Sequence, residues 1–233
     1  MDPEGGIVHI DHKQPEYFEA VELYMTGDRN EAKKTFEALV LKYPKDPQLF
    51  LLLGNIQYTL GRLGEACASY ECALALQPKF PQALFKLGVC LVRMGKLHEA
   101  LRCFTKNVEI PAQGHVMSYY WIGLINSFLG DDEASFVAYN RLHEESEESM
   151  LADYFLAQLH LRRKEQEKAV DLLEKLLKVT PDFAEVHYLL GLAYSELHKN
   201  AEAIRKFRDV LTLDPDDKRA RNALELYMDA PSI

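Results

Sequence analysis

Two helical patterns separated by a turn fill residues 47–80, PQLFLLLGNIQYTLGRLGEACASYECALALQPKF. The first pattern places its apolar and small residues on one face of a helix, at Phe50, Leu53, Gly54 and Gln57. Gly61 can adopt the left-handed conformation that ends a helix, and a second stripe follows at Ala66, Tyr70 and Ala73. Pro78 cannot continue that second helix, so the stretch predicts a helix pair. We expect Gly54 and Ala66 where the two helices cross, because a larger side chain there would hold the backbones apart.

The helix pair recurs along the whole chain. A Glu-Ala or Lys-Ala dipeptide opens each second helix, and the successive alanines lie 34, 34, 34, 35 and 34 positions apart, at Ala32, Ala66, Ala100, Ala134, Ala169 and Ala203. Prolines recur in the same register, at Pro44, Pro78, Pro111, Pro181 and Pro215. Two independent markers with one shared period predict a tandem array, in which each helix pair buries its apolar face against its neighbours.

This pattern resembles the tetratricopeptide repeat (TPR), which has small residues at positions 8, 20 and 27 and an aromatic residue at position 24. On that register the chain of 233 residues holds six repeats, at 13–46, 47–80, 81–115, 116–149, 150–183 and 184–217. Position 8 is occupied by Ala20, Gly54, Gly88, Gly123, Ala157 and Gly191. Position 24 is occupied by Phe36, Tyr70, Phe104, Ala138, Leu173 and Phe207. The resemblance implies an all-α fold, a right-handed α-solenoid of six TPR helix pairs.

Repeats three and four depart from the regular period. Repeat three carries one extra residue within 111–115, and repeat four is expected to have a turn that is one residue short after Gly130. That short turn is the reason for assigning Ala138 to position 24. We hypothesise that the joint near 111–116 or the joint near 145–150 is a hinge between two rigid parts.

Two segments flank the repeats. Residues 1–12 form an N-terminal tail, which contains the short apolar stretch 7–10, IVHI; this tail either frays or docks on a neighbouring molecule. Residues 218–233 are expected to hold a C-terminal capping helix and a short tail. The apolar face of that helix comprises Ala220, Ala223, Leu224 and Tyr227. Its polar outer side comprises Arg219, Arg221 and Glu225, as a terminal element of a solenoid requires.

Composition argues against several classes of function. The chain has 36 acidic and 27 basic residues and a net charge of -9, so we expect no nucleic-acid partner. No apolar run is long enough to span a membrane, and the N-terminus lacks a secretory signal pattern. We therefore expect a cytoplasmic protein, with any membrane or organelle association peripheral and through a protein partner. The four cysteines are expected to be small buried hydrophobes in a reducing compartment, at Cys67, Cys72, Cys90 and Cys103.

No motif argues for catalysis. The Gly-Lys pair at 95–96 lacks the spacing of a phosphate loop, no G-x-S-x-G occurs, and His9 and His12 make a poor metal site. We therefore predict no enzyme activity, no cofactor and no metal.

In the TPR family the first helix of each repeat lines the concave groove. A helix turns about 100° per residue, so positions 5, 9 and 12 lie beside the inward-packing stripe, and by the resemblance they face the groove. These positions predict a protein-binding groove lined by Tyr17, Tyr24, Leu51, Asn55, Tyr58, Phe85, Tyr120, Tyr154, Gln158 and Tyr188. Aromatic side chains with a hydroxyl group are typical of interfaces. In the alternative interpretation, the rings only pack between adjacent first helices.

The resemblance implies a non-enzymatic scaffold that binds peptide or helical segments of other proteins and forms a homo-oligomer. Length, acidity and a layout of repeats alone are also similar to MamA, a magnetosome-associated scaffold that is thought to self-assemble. The alternative function is a chaperone for an apolar segment of a secretion or pilus component. A catalytic or regulatory subunit of an enzyme is the third hypothesis, and no candidate catalytic site supports it.

Overall fold

The computed structural model describes residues 15–111, 116–146 and 149–228. Thirteen α-helices account for most of these residues, and no strand occurs among them. The helices are α1 (Pro15–Thr26), α2 (Arg29–Lys42), α3 (Pro47–Thr59), α4 (Leu63–Leu76), α5 (Pro81–Arg93), α6 (Leu97–Val108), α7 (Val116–Leu129), α8 (Asp132–Glu145), α9 (Met150–Arg162), α10 (Gln166–Val179), α11 (Ala184–Glu196), α12 (Asn200–Leu213) and α13 (Lys218–Met228). The expected all-α class, with six helix pairs and a C-terminal helix, is confirmed for the described residues.

Local sequence signals set where the helices begin. The Asp46 side chain accepts a hydrogen bond from the Gln48 amide at 2.8 Å, and Pro47 occupies the first turn of α3, where its missing N–H group costs nothing. Asp131 caps α8 in the same way, through the Ala134 amide at 2.9 Å. These caps satisfy backbone N–H groups that the helix itself leaves without partners.

Each turn inside a helix pair places one residue in the left-handed conformation. This residue is always at position 15 of the repeat, with positive φ at Gly27, Gly61, Gly95, Gly130, Lys164 and His198. The last two repeats therefore keep the turn without glycine, at φ 59° for Lys164 and 57° for His198.

The chain divides into two compact units, residues 1–125 and 126–233. In the first unit, one core cluster joins α1, α2 and α3, and a second runs from α3 to α7. Gly54 lies against the fully buried Tyr70 ring, because a Cβ atom there would be 2.5 Å from Tyr70 Cε1. Ala66 is fully buried in the same helix pair, so the predicted small-residue crossing is confirmed.

The second unit has a continuous core from α9 to α13. Gly191 lies against the Phe207 ring in the same way as Gly54 lies against Tyr70. A Cβ atom added at Gly191 would be 2.5 Å from Phe207 Cε1. The last helix, α13, buries Ala220 completely and packs Leu224 and Tyr227 partly against this core. Its outer residues Arg219, Arg221 and Glu225 are exposed, as expected for a capping helix.

The prediction for repeat four was wrong in its register. Ser135, not Ala134, is fully buried at position 20, and Tyr139, not Ala138, lies at position 24 with its ring stacked on Phe155 at 4.8 Å. The turn after Gly130 therefore has the ordinary length. The Glu133-Ala134 dipeptide imitates the marker of the other repeats but lies one position too early.

The remaining expectations concern the cysteines, the two hinges and the N-terminal tail. Cys67 and Cys90 are buried, but Cys72 is exposed, so its prediction as a buried hydrophobe was wrong. The proposed hinges include 112–115 and 147–148, and the proposed docking tail lies within 1–14; all of these lie outside the described residues.

Candidate binding surface

The ten residues predicted to line a groove all lie on the first helices of their repeats. In the first unit, they occupy α1, α3, α5 and α7, at Tyr17, Tyr24, Leu51, Asn55, Tyr58, Phe85 and Tyr120. In the second unit, they occupy α9 and α11, at Tyr154, Gln158 and Tyr188. Nine of the ten are half-buried, which leaves part of each side chain accessible. We call the open side of these helices, within each unit, the first-helix surface.

The rings at position 5 pack mainly within their own repeats. Three of them contact the ring at position 24 of the second helix: Tyr17 with Phe36 at 6.4 Å, Phe85 with Phe104 at 5.8 Å, and Tyr188 with Phe207 at 5.8 Å between ring centroids. One side of each ring thus supports the helix pair. All three rings are half-buried, so each keeps some accessible surface.

One of the predicted residues is buried, and another is hydrogen-bonded within its own repeat. Leu51 is only 5% exposed and belongs to the core of the first unit, so it offers a ligand almost no surface. The Tyr70 hydroxyl donates a hydrogen bond to Asn55 Oδ1 at 3.0 Å. Asn55 therefore has a hydrogen-bond partner in its own repeat. Leu51 is a core residue and not a ligand contact.

A pocket of about 380 Å³ lies between the first helices α9 and α11 of the second unit. Its lining comprises Gln158, Leu161 and Arg162 from α9 and Glu185, Leu189 and Leu192 from α11. Only Gln158 was predicted. The other residues occupy positions 12 and 13 of one repeat and positions 2, 6 and 9 of the next, so a search for facing positions in adjacent repeats could have found them.

The charges of this first-helix pocket are neutralised by partners within the second unit. Arg162 lies 3.0 Å from Asp132 and donates a hydrogen bond to the Ser127 hydroxyl at 2.9 Å. Glu185 accepts a bond from Arg219 at 2.8 Å, and the Arg219 guanidinium lies over the Tyr188 ring at 4.4 Å. A ligand in this pocket therefore meets polar groups without a strong net charge.

Tyr154 interacts with two residues of this pocket, Gln158 and Glu185, and lines a second pocket. Burial raises the pKa of the Tyr154 hydroxyl, and the negative charge of Glu185 raises it further, while a hydrogen bond with Gln158 lowers it. The net direction is upward, so the hydroxyl stays protonated at physiological pH and can donate a hydrogen bond.

The second pocket, of about 340 Å³, is apolar and lies at the start of α9. Its lining comprises Met150, Leu151, Tyr154, Phe155, Leu176, Thr180 and Phe183. The Tyr154 and Phe183 rings are stacked at 5.5 Å, and the Thr180 hydroxyl donates to the Leu176 carbonyl at 3.0 Å. No charged side chain lines this apolar pocket. Sequence reasoning missed it because it forms where α9, α10 and the loop before α11 meet.

Two other kinds of feature do not occur among the described residues. They contain no group of three or more His, Cys, Asp or Glu side chains that could hold a metal ion. None of their helices is both long enough and apolar enough to cross a membrane.

Comparison with known families identifies the repeats. Models of the TPR repeat match residues 54–95 and 157–198, and further tetratricopeptide-repeat models match 17–46 and 184–217. The chain is a tetratricopeptide-repeat protein. The TPR match at 184–217 has the same bounds as the sixth repeat assigned from the sequence.

Individual relatives are similar to this TPR chain over limited stretches or at low identity. Anaphase-promoting complex subunit 3 of Schizosaccharomyces pombe is 31% identical over 93 residues, which are 40% of this chain and 14% of that subunit. Among solved structures, YrrB, a TPR protein with an unusual peptide-binding site, aligns with a TM-score of 0.74 at 18% identity over 82% of this chain and 97% of YrrB. MamA aligns with a TM-score of 0.67 at 24% identity over 72% of this chain and 92% of MamA. These structural similarities concern the fold, and the TPR chain spans a small part of its curated relative.

Proposed function

We propose that this TPR chain is a non-enzymatic scaffold that binds peptide or helical segments of other proteins on its first-helix surface. The observation that carries the proposal is the pocket between α9 and α11, where Gln158, Leu161 and Leu192 occupy positions 9 and 12, two of the positions from which the groove was predicted. Half-buried tyrosines beside it offer an apolar body and a hydroxyl group, a combination common at interfaces. TPR proteins bind other proteins or peptides, and YrrB is a TPR protein with a peptide-binding site.

Nine of the ten residues predicted from the sequence remain in this proposal, and Leu51 is left out because it is buried. The pocket adds Leu161, Leu189 and Leu192 as apolar contacts and Arg162 and Glu185 as polar ones. A segment lying along α9 would place apolar side chains against the leucines and its backbone near the Gln158 amide. We further propose that the protein acts in the cytoplasm and reaches any membrane or organelle through such a partner.

The test is a substitution in the pocket with a matched control. Peptides selected from a displayed random library against the full chain are titrated by fluorescence anisotropy. Leu192→Asp places a charge in the pocket, and we expect at least about tenfold weaker binding. Leu213→Asp is the control, because Leu213 is 38% exposed against 37% for Leu192 and lies outside both pockets. If both variants fold and lose the same amount of peptide affinity, the binding site lies elsewhere.

A specific feature of α1 favours self-assembly as part of the function. Phe18 is 59% exposed at position 6 of its repeat. In repeats four and five, the residues at position 6, Trp121 and Phe155, stack on the ring at position 24 of the preceding repeat. Phe18 therefore presents the side of a repeat that elsewhere in the chain is covered by another helix pair, and we propose that a second copy covers it. A coat-type scaffold, such as one on a magnetosome, is one function that this assembly would serve.

The apolar pocket supports the second candidate, a chaperone for an apolar segment of a secretion or pilus component. A chaperone of this type would be a monomer or dimer that binds one dominant client, whereas a scaffold would form assemblies that grow with concentration. Light scattering after size exclusion separates the two. A sharp monomer at all concentrations would favour the chaperone.

A further inference from the structure

The apolar pocket at the start of α9 has features that define the chemistry of a ligand. We propose that it takes a bulky apolar side chain of a partner segment that carries lysine or arginine on either side of that residue. This inference rests on the proposed function, peptide binding by the repeats. It goes further, because it assigns a second pocket and a class of partner sequence.

The lining requires an uncharged, apolar side chain. Five of its seven residues are purely apolar. The other two use their hydroxyl groups in hydrogen bonds within the protein: Thr180 donates to the Leu176 carbonyl, and Tyr154 is bonded to Gln158. A charged group in this pocket would lose its hydration and find no partner of opposite sign. The volume of about 340 Å³ accommodates a side chain of the size of Leu, Phe or Trp.

The mouth of the apolar pocket is accessible. Three of its large apolar lining residues, Met150, Leu151 and Phe183, are exposed. Exposed large apolar residues that surround a cavity are more informative than single ones, because their desolvation by a partner is favourable at each position. A partner side chain would cover all three as it enters.

Acidic residues lie next to the pocket-lining residues in the sequence. Glu144 and Glu145 end α8, five or six residues before Met150, and Asp182 directly precedes Phe183; all three are exposed. Because Asp182 adjoins the lining residue Phe183 in the chain, its charge lies beside any segment that covers Phe183, where salt screens it only partly.

Few basic residues oppose these carboxylates. Lys175 is paired with the buried Asp153 at 2.8 Å, and Arg141 with Glu144 at 2.8 Å. Lys178, between the lining residues Leu176 and Thr180 in the chain, is exposed. With Glu144 paired, Glu145 and Asp182 stand against Lys178, and this excess of negative charge favours a segment with basic residues beside its apolar anchor over an acidic one.

The experiment selects peptides from a random library of twelve-residue sequences displayed on phage, with the full chain as bait. We expect enriched sequences with one bulky apolar residue and Lys or Arg within three positions on both sides. Leu151→Asp should weaken the best peptide at least about tenfold, because it places a charge at the mouth. Leu213→Asp, at 38% exposure against 39% for Leu151, should leave the affinity unchanged.

A second pair of variants tests the charge preference. Glu145→Lys with Asp182→Lys should weaken the same peptide at least about tenfold at low salt, and the difference should shrink at about 0.5 M salt. Glu167→Lys with Glu196→Lys changes the net charge equally at exposed positions outside the pocket lining, and should have little effect. Enriched peptides with acidic flanks, or binding that ignores Leu151→Asp, would overturn the inference.

The outcomes also separate this inference from the proposed function. Peptides that lose affinity with Leu192→Asp but not with Leu151→Asp leave the scaffold proposal standing and remove the pocket assignment. Failure to enrich any peptide removes both. Two competitors are added to the labelled selected peptide: a synthetic peptide of residues 1–14 and phosphatidylcholine vesicles. If either displaces the labelled peptide more effectively than the same selected peptide without its label does, the occupant of the pocket is not a basic partner segment.

Discussion

Position 8 of a repeat faces the ring at position 24, and this contact explains the glycine there in three of the four repeats that have one. In the Gly54, Gly88 and Gly191 repeats, an added Cβ would lie 2.5 to 2.7 Å from the nearest ring atom. The Tyr70 ring cannot withdraw easily, because it is fully buried and its hydroxyl is bonded to Asn55. The small residue is therefore a packing requirement of the helix pair, not a helix breaker.

This contact leads to a prediction at the residue scale. Gly54→Ala should destabilise the protein by about 1–2 kcal/mol, because overpacking outweighs the roughly 1 kcal/mol gain in helix propensity. Gly64→Ala is the matched control, since Gly64 lies in α4 and no atom is within 4 Å of its added Cβ. Thermal unfolding of the full chain measures both. A higher melting temperature for Gly54→Ala would contradict the packing argument.

A second residue-scale prediction concerns the turn of repeat five. Lys164 has φ 59°, in the left-handed region that the first four repeats fill with glycine. Lys164→Gly should stabilise the protein by about 0.5–1 kcal/mol, because relief of the left-handed conformation exceeds the entropy that glycine adds to the unfolded chain. The reverse change, Gly61→Ala at φ 75°, should destabilise it by about 1 kcal/mol. Denaturant midpoints that move in the opposite directions would exclude this explanation.

Single residues also show where sequence reasoning reached its limit. The period placed most buried positions correctly, but in repeat four the Glu133-Ala134 dipeptide competed with Ser135, and a serine is as compact as the alanine that the pattern sought. Leu51 was assigned to a groove because its neighbours on the helix face were unknown, and the structure buries it. Cys72 lies on the outer side of α4, which an apolar count over the helix could not reveal.

At the scale of elements, the helices were the most predictable feature. Glycine turns, capping residues and prolines mark their ends in sequence, and each of the six assigned ranges contains one pair. The two pockets were not predictable to the same degree, because their lining comes from different helices. The first-helix pocket requires the offset between α9 and α11, and the apolar pocket requires the loop before α11.

The capping helix gives a prediction at this scale. Tyr227 of α13 packs against the core of the second unit and donates a hydrogen bond to the Ser195 hydroxyl at 2.7 Å, whereas its neighbour Leu226 is 77% exposed. Tyr227→Ala should lower stability by about 2–3 kcal/mol, and Leu226→Ala by less than about 0.5 kcal/mol. Chemical denaturation of both variants provides the measurement. Equal effects would mean that α13 does not cap the core through this face.

At the scale of the whole molecule, exposed Phe18 on α1 predicts concentration-dependent assembly. Light scattering after size exclusion should give a mass that rises with concentration, because burial of an exposed ring between copies is favourable. Phe18→Asp should reduce the assembly to a monomer. Phe128→Asp is the control, since Phe128 is also an exposed ring, at 73%. Assembly that survives Phe18→Asp, or is lost equally in the control, would remove α1 as the contact.

The central claim is that the first helices, and not the second ones, form the binding surface. Hydrogen–deuterium exchange of the full chain, with and without a saturating selected peptide, tests it most directly, because exchange reports on each helix separately. We predict slower exchange in α9 and α11 on peptide binding, with α10 and α12 unchanged outside the 176–180 segment that borders the apolar pocket. Protection confined to α12 and α13, with α9 and α11 unaffected, would contradict the account.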